Sequence, residues 1–329
     1  MSGLLEFSIS DDPIAQQLRA ELAAVEAIFD RQLASDMPAV NGLCRHVERY
    51  RGKMLRPTLV LLCGLASGRR RIDQGHRVVA AVAEMIHMAT LVHDDVLDDA
   101  QVRRRGATVN QLRGNEVAVM LGDYLISNAF HLCSTIGDPS INLALGEITN
   151  TLCEGELVQL HHRDNLSLDE ATYFEIIRRK TASLVGGCCR LGARLSGADE
   201  AVSSALGAFG LSLGVAFQIQ DDLLDLEGKP EVVGKSLGRD LDKGKLTLPI
   251  IVHLAEAGPD ARLEALELIE RRESEGLLQR LVDSGAIDAA RSRAVSLVND
   301  AKMQLAVLVD GPARDLLQAM AEAVVDRDH

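Results

Sequence analysis

The chain has 329 residues, 47% of them hydrophobic, enough to bury a large core as one big domain or two smaller ones. Its net charge of −13 argues against a general nucleic-acid binder, because such proteins meet nucleic-acid phosphates with a broad basic surface. Aromatic residues make up only 3% of the chain, whereas Ala, Leu, Glu and Arg dominate, which favours helices over sheets. The composition predicts an all-α protein.

Apolar periodicity, interrupted by short Pro and Gly clusters, predicts a single helical domain over 1–329, with roughly the first ten residues outside its packed part. The predicted helices cover 12–33, 38–50, 57–67, 75–99, 114–134, 138–162, 169–195, 199–226 and 243–256, followed by several short ones. The predicted loops are 68–74, 100–113, 163–168 and 227–242. The second and fourth loops each follow an acidic cluster, and functional residues often concentrate in such loops.

A small basic element comes before the third predicted helix. Lys53 and Arg56 lie three residues apart, so they share a helical face or turn. The Arg side chain offers a two-pronged fork for phosphate. The pair therefore predicts a small anion site.

The first acidic cluster, His93 to Asp99, closes a strongly apolar helix. Asp94 and Asp98 are four residues apart, which puts both carboxylates on one helical face. His87 lies seven residues before Asp94, or two turns, and so shares that face.

The second acidic cluster, Gln218 to Asp225, repeats this geometry with Asp221 and Asp225. Like charges 4 Å apart repel by about 4 kcal/mol at an effective dielectric near 20, so a cation is expected between them. Hard oxygen ligands favour Mg²⁺, which typically links a few carboxylates to substrate phosphates. One such cluster is commonly a solvated helix end, but two near-identical clusters predict a metal site. Its candidate ligands are Asp94, Asp95, Asp98, Asp221, Asp222 and Asp225.

With these residues in place, the sequence from about 40 to 250 resembles the trans-polyprenyl diphosphate synthase family, which includes farnesyl, geranylgeranyl and octaprenyl diphosphate synthases. DDVLD at 94–98 and DDLLD at 221–225 resemble its two aspartate-rich motifs, and GKMLRP at 52–57 resembles its GKRLRP element. Further matches follow in the family's order: Arg103-Arg104, Lys180-Thr181, Phe217-Gln218, Gly234-Lys235 and Gly244-Lys245. The resemblance implies an isoprenoid-synthase-type helical bundle around a central active-site cavity.

The resemblance also implies a role for each matching residue. Isopentenyl diphosphate would be bound without metal by a basic site formed by Gly52, Lys53, Arg56, His87 and Arg104. The allylic diphosphate would be bound by Mg²⁺, held mainly by Asp94, Asp98 and Asp221, together with Arg103, Lys180, Lys235 and Lys245. Thr181 and Gln218 would flank the allylic cation. Asp95, Asp222 and Asp225 would complete the metal shell through waters or hydrogen bonds, and the released diphosphate would accept the proton.

Product length is expected to depend on the helix that carries the first motif. Ala89, five residues before Asp94, is small where family members that stop at C15 often carry a bulky aromatic residue. We therefore expect a product longer than C15, made from a dimethylallyl, geranyl or farnesyl diphosphate primer. The family also implies a homodimer.

Two positions depart from the family pattern. Met54 stands where the family usually has a basic residue, and the run Arg103-Arg104-Arg105-Gly106 has an Arg where the family often has Gly. Neither change removes a predicted metal ligand.

Cysteine spacing and the N-terminal sequence bear on the compartment. The six cysteines include no CxxC pair and no zinc-type spacing, so reduced and mostly buried thiols are expected. The N-terminus lacks the basic and apolar regions of a secretory signal, and apolar runs such as 59–66 fall short of the roughly 20 residues of a membrane span. A cytoplasmic protein without a transmembrane segment is expected.

Three alternatives remain open. A class I terpene cyclase would use an aspartate-rich motif but would not need the second substrate site at Lys53 and Arg56. A noncatalytic subunit that binds prenyl diphosphates would tend to lose aspartates. A di-iron bundle is suggested by the ExxH of Glu84 and His87, but it requires two such motifs and the sequence has one.

Overall fold

The computed structural model describes residues 13–68, 71–104, 106–227 and 238–326. Within these ranges the regular structure is helical except for one hairpin of two short strands, which confirms the all-α prediction.

The helices are numbered here in chain order. They are α1 Pro13–Leu33, α2 Pro38–Val47, α3 Leu55–Ala66, α4 Gln74–Leu97, α5 Val109–Arg113, α6 Asn115–Ser134, α7 Pro139–His161, α8 Glu170–Ile177, α9 Ser183–Leu195, α10 Glu200–Glu227, α11 Arg239–Asp242, α12 Leu248–Glu256, α13 Pro259–Glu270, α14 Ser274–Asp283, α15 Ala286–Gln304 and α16 Pro312–Val325. Short 3₁₀ turns cover Glu48–Tyr50 and Leu305–Val307, and a π-helical segment covers Arg178–Ala182. The antiparallel strands are β1 Val102–Arg103 and β2 Gly106–Ala107.

The centre of the fold is formed by α4, α9 and α10, and of these α10 is apolar around most of its circumference. The largest helix contacts join α10 to α9 and α15, and α4 to α6. The close crossing of α3 and α9 depends on Gly192, because a Cβ there would lie 2.2 Å from the carbonyl oxygen of Val60. A helix that is apolar on all sides is expected at the centre of such a bundle.

Several predicted boundaries were wrong, each for a local reason. The helix predicted over 169–195 is interrupted by the π segment. The helix predicted from 243 begins only at Leu248, because Gly244 has a left-handed φ of 70° and Pro249 favours a helix start. The loop predicted over 100–113 contains the hairpin and α5. Of the loop predicted over 227–242, residues 228–237 lie outside the described residues.

Two helices, α6 and α10, are long and apolar enough to cross a membrane by length and composition alone. The prediction that no segment could do so was based on uninterrupted apolar runs and overlooked them. Within the fold, α10 packs against α9 and α15, and α6 packs against α4. Because the core helix of a globular bundle passes the same test, these two helices are weak evidence for a membrane span.

Candidate active site

A cavity opens between the C-terminal ends of α4, α7 and α10, the π segment and the chain around α11. Acidic, basic and apolar side chains line it together. The lining residues are Leu91, Asp94, Asp98, Arg103, Gln159, His162, Arg163, Leu168, Tyr173, Ile176, Ile177, Lys180, Thr181, Gln218, Asp222, Asp240, Gly244, Lys245, Leu246 and Thr247.

On the α4 side, Asp98 is surrounded by cations. Its carboxylate accepts hydrogen bonds from Lys243 Nζ at 2.9 Å and from Lys245 Nζ at 3.0 Å, and Arg163 lies 3.5 Å away. Burial favours a higher pKa for Asp98, but Lys245 and Lys243 outweigh it, so the pKa is lowered. Asp98 is therefore ionised at neutral pH.

Lys180 reaches the same side of the cavity from the π segment. Its ammonium pairs with Glu156 of α7 and lies 3.6 Å from Asp94 Oδ1. Burial favours a lower pKa for Lys180, but Asp94 and Glu156 overcome it and raise the pKa. A π turn often marks a functional site, and this one carries both Lys180 and Thr181.

Asp95 lies behind the residues that line the cavity, and its carboxylate pairs with Arg103 of the hairpin. It is fully buried, and one oxygen accepts hydrogen bonds from Arg103 at 2.8 and 2.9 Å. The ring of Tyr50 lies beneath the Arg103 guanidinium at 5.9 Å, and its hydroxyl accepts a hydrogen bond from the backbone of Val109. The ion pair therefore fixes Arg103 at the edge of the cavity.

On the α10 side, the carboxyl of Asp222 is held by neutral groups. It accepts hydrogen bonds from Tyr173 Oη at 2.6 Å and from Gln218 Nε2 at 2.9 Å, while Thr181 donates to Gln218 Oε1 at 3.0 Å. Burial and the neighbouring Asp240 raise the pKa of Asp222 to about 8. The Asp222 carboxyl is thus largely protonated at neutral pH.

The other aspartates of the second motif face different neighbours. Asp225 is half-buried, accepts a hydrogen bond from the backbone N–H of Asp240 at 3.1 Å, and has a pKa raised to about 6 by burial and by Asp240. Asp221 is also half-buried and interacts electrostatically with Arg56 of α3. Asp221 therefore lies close enough to the predicted basic site to act on its charge.

That basic site combines α3, α4 and the hairpin tip. A Cβ on Gly52 would lie 2.5 Å from Nη2 of Arg104, so any other residue at this position would force the guanidinium to shift. His87 is surrounded by Arg56, Arg104 and Arg103, and burial together with these charges lowers its pKa well below the usual value. His87 is therefore neutral and can offer a hydrogen bond without adding charge.

The structure brings most of the predicted residues to two adjoining regions. Asp94, Asp98, Arg103, Lys180, Thr181, Gln218, Asp222 and Lys245 line the cavity. Gly52, Arg56, His87, Arg104 and Asp221 group around α3, while Lys53 and the left-handed Met54 come just before that helix. Lys235 lies outside the described residues. Ala89 is fully buried in α4.

Sequence reasoning missed several cavity residues. Lys243 and Asp240 come from the charged run just before α12, a signal that could have been noticed. No sequence motif contains Glu156, Arg163 or Tyr173. Only the packing of α7 and α8 brings them to the cavity or to the lysine that lines it.

The donor set fits a divalent metal shared with a ligand. Asp94 and Asp98 on one wall and Asp222 and Asp240 on the other supply hard oxygen ligands. Among the described residues, no three His, Cys, Asp or Glu side chains group closely enough to hold an ion by themselves. Mg²⁺ sites commonly use one or two carboxylates plus substrate phosphates, so this arrangement suits an ion bound together with a diphosphate.

Comparisons with known proteins cover most of the chain. The family model described as polyprenyl synthetase matches residues 37–284. Octaprenyl diphosphate synthase of Escherichia coli K12 is 33% identical over 312 residues, covering 94% of this chain and 96% of the relative. A decaprenyl diphosphate synthase structure from Rhodobacter capsulatus has a TM-score of 0.89 at 35% identity, with 96% of this chain and 98% of that chain covered. A polyprenyl synthase structure from Caulobacter crescentus CB15, complexed with calcium and isoprenyl diphosphate, has a TM-score of 0.89 at 34% identity, with 95% and 97% covered.

Proposed function

This chain belongs to the polyprenyl synthetase family and is a prenyl transferase, and we propose that it uses Mg²⁺ to join isopentenyl diphosphate to an allylic diphosphate in the cavity described above. The family match confirms the resemblance read from the two aspartate-rich motifs. The relatives that make octaprenyl and decaprenyl diphosphates support a product longer than C15.

One observation carries the proposal. Carboxylates from α4 and α10 line the same cavity, and the ammonium groups of Lys180 and Lys245 lie beside those of α4. A diphosphate needs cations around its oxygens, and it needs them most when a carbon–oxygen bond breaks and charge builds on the leaving group. The cavity combines metal-binding oxygens with such cations.

In this proposal, the allylic diphosphate lies between the two walls. Asp94, Asp98 and Asp221 would hold Mg²⁺, which would supply Lewis-acid stabilisation of the charge that builds on the departing diphosphate. Lys180, Lys245 and Arg103 bind the same leaving group directly, and we assign Lys235 to this set. Asp95, Asp222 and Asp225 orient the neighbouring groups, since two of them already hold Arg103 and Gln218.

The remaining residues act on the carbon skeleton and the second substrate. The side chains of Thr181 and Gln218, already hydrogen-bonded to each other, face the forming allylic cation. Isopentenyl diphosphate binds at Gly52, Lys53, Arg56, His87 and Arg104, where no metal is needed. The double bond of isopentenyl diphosphate attacks the cation, and the released diphosphate accepts the proton.

The test is a product assay with the purified chain, Mg²⁺, labelled isopentenyl diphosphate and each primer in turn: dimethylallyl, geranyl or farnesyl diphosphate. We expect linear products heavier by whole C5 units, longer than C15, and dependent on the metal. Cyclic hydrocarbons formed without isopentenyl diphosphate would instead identify a terpene cyclase. Primer binding without turnover would identify a noncatalytic subunit.

We also propose that the enzyme is a cytoplasmic homodimer. Large apolar side chains on the outer faces of α6 and α7 support this: Met120 is 64% exposed, and Leu143 and Leu157 are each 66% exposed. A two-fold dimer would cover the same face on both copies. Sedimentation should give twice the chain mass for the wild type and a shift toward monomer for Leu143→Glu/Leu157→Glu, and a monomeric wild type would contradict the proposal.

A further inference from the structure

Tyr173 is a buried polar residue at the cavity that has no role in the reaction described so far. It lies on α8, is only 4% exposed and lines the cavity beside Asp222. A buried hydroxyl needs a hydrogen-bond partner, and Tyr173 Oη donates to Asp222 Oδ2 at 2.6 Å. This length is typical of a strong hydrogen bond to a carboxyl oxygen. Tyr173 therefore restrains the orientation of the Asp222 carboxyl.

The Asp222 carboxyl in turn orients Gln218. The two residues are four apart on α10, so their side chains are neighbours. Asp222 Oδ1 accepts a hydrogen bond from Gln218 Nε2 at 2.9 Å, and Gln218 Oε1 accepts one from Thr181 Oγ1 at 3.0 Å. Three hydrogen bonds thus follow one another from Tyr173 to Thr181.

These hydrogen bonds also bridge two elements of the fold at two points. Tyr173 lies on α8 and Thr181 on the π segment that follows it, whereas Asp222 and Gln218 both lie on α10. A rotation of the Gln218 side chain would break its bonds to both neighbours at once. Gln218 is therefore held in one orientation before a substrate arrives.

That orientation decides which end of the Gln218 amide lies on the Thr181 side of the cavity. An amide has a donating nitrogen and an accepting oxygen, and the nitrogen is already bonded to Asp222. In the reverse orientation, Gln218 Oε1 would lie against Asp222 Oδ1, and two acceptors would face each other. The partly negative oxygen is therefore presented beside Thr181, where it can stabilise a neighbouring positive charge.

We propose that Tyr173 is a positioning residue that acts through Asp222 to turn the amide oxygen of Gln218 toward the allylic cation. The idea rests on the proposed function, which places that cation beside Thr181 and Gln218. The amide oxygen interacts more strongly with a positive carbon than with the uncharged carbon of the bound primer. Tyr173 should therefore affect kcat more than KM for the primer.

The test compares the wild type with Tyr173→Phe, using two unreactive analogues of farnesyl diphosphate in the presence of Mg²⁺. One analogue has a protonated amine in place of the carbon that becomes positive, and the other is uncharged there, with sulfur joining the chain to the diphosphate. We expect Tyr173→Phe to raise Kd for the amine analogue about tenfold, the size of one hydrogen bond, and Kd for the sulfur analogue by less than about twofold. Calorimetric titration measures both. Equal weakening of the two would show a merely structural role and would overturn the proposal.

A double-mutant comparison shows whether Tyr173 acts through Gln218. The Gln218→Leu variant has no amide to orient. In that background, Tyr173→Phe should leave the ratio of the two Kd values within about twofold. A further tenfold change would mean that Tyr173 acts by another route, and the proposal would fail.

Tyr124→Phe is the matched control for the loss of a tyrosine hydroxyl. Tyr124 lies on α6 and is absent from the described lining of the cavity. Its substitution should change neither Kd. If Tyr124→Phe alters the ratio of the two Kd values as much as Tyr173→Phe does, the effect is general and the role of Tyr173 is rejected.

Binding of unreactive analogues keeps this idea separate from the proposed function. A wild type that binds the amine analogue more tightly than the sulfur analogue but makes no product would reject the proposed function alone. Equal ratios of the two Kd values in the wild type and Tyr173→Phe would reject the role of Tyr173 alone. A wild type that binds neither analogue would reject both.

Discussion

Asp98 on α4 and Asp222 on α10 belong to nearly identical DDxxD segments on facing walls of one cavity, yet their surroundings are opposite. Three cations surround Asp98, and two of them, Lys245 and Lys243, lower its pKa. Asp222, in contrast, is held by a tyrosine and a glutamine, and burial together with Asp240 raises its pKa to about 8. At the position of the second motif that matches Asp98, Asp225 also has a raised pKa, about 6, because of burial and Asp240, so the two segments differ in charge before a ligand arrives. The difference is set by residues far away in the chain, not by the motif.

The largest effect is expected from the charged wall. Asp98→Asn keeps the size of the side chain but leaves Lys243 and Lys245 without their shared carboxylate. We expect kcat to fall by roughly 10²–10³, as when a key electrostatic group is removed from an active site. The measurement is the initial rate of labelled isopentenyl diphosphate incorporation.

Asp99→Asn is the matched control, because Asp99 is exposed and its left-handed φ of 47° also suits asparagine. It should keep nearly full activity. Equal losses of kcat in Asp98→Asn and Asp99→Asn would mean that removal of either carboxylate at this helix end slows the reaction. The cations around Asp98 would then not explain the effect.

The raised pKa of Asp222 should show itself in the pH dependence of stability. A raised carboxyl pKa means that the folded state keeps a proton that the unfolded chain releases near pH 4, so stability falls as pH rises from about 4 to about 8. For the metal-free protein between pH 6.5 and 8, we expect Tm of the wild type to fall by roughly 3 °C more than Tm of Asp222→Asn, given about 2–4 °C per kcal/mol.

This window avoids the opposite contribution of His87, whose lowered pKa increases stability as pH rises toward its usual value of about 6.5. Added Mg²⁺ should reduce the wild-type fall at pH 8. Parallel Tm curves for the two proteins would show that Asp222 is ionised throughout, and the walls would then be alike.

The smallest effect on rate is expected at positions five residues before the two motifs, where a substitution should instead change the length of the product. Ala89 and Ala216 each lie five residues before the first aspartate of their motif, and both are fully buried. Phenylalanine at either position should cost about 1–3 kcal/mol through overpacking. We expect Ala89→Phe to shorten the product and Ala216→Phe to leave it unchanged, as measured by mass analysis of the prenyl chains. Identical product lengths in both variants would remove Ala89 as a determinant of chain length.

The parts of the site that depend on one regular helix could be predicted from the sequence. Asp94 and Asp98 line the cavity together because α4 is an uninterrupted helix, and four-residue spacing is reliable there. The separation of Asp221 from Asp222 was less predictable. Both lie on α10, but Asp222 lines the cavity and accepts a hydrogen bond from Tyr173 of α8, whereas Asp221 acts electrostatically on Arg56 of α3. Only the packing of α3 and α8 against α10 decides this.

The parts that depend on irregular backbone could not be predicted. The left-handed Gly244 ends the turn after α11, between Lys243 and Lys245, and so helps both ammonium groups reach Asp98. Neither hydrophobic periodicity nor helix propensity indicates that these two lysines pair with an aspartate so distant in the sequence. The overall helical fold, by contrast, follows from composition and apolar periodicity because burial of apolar faces dominates folding.

The π segment Arg178–Ala182 sets the rotation of one half of a long helical rod against the other. An α-helix turns 100° per residue, so the wider π turn shifts every side chain beyond it relative to those before it. Tyr173 on one side of the turn meets Asp222, while Gly192 on the other side meets α3. Deleting one residue from the turn would restore an ordinary helix but misalign these two contacts, so the wide turn is as necessary to the architecture as it is to the chemistry.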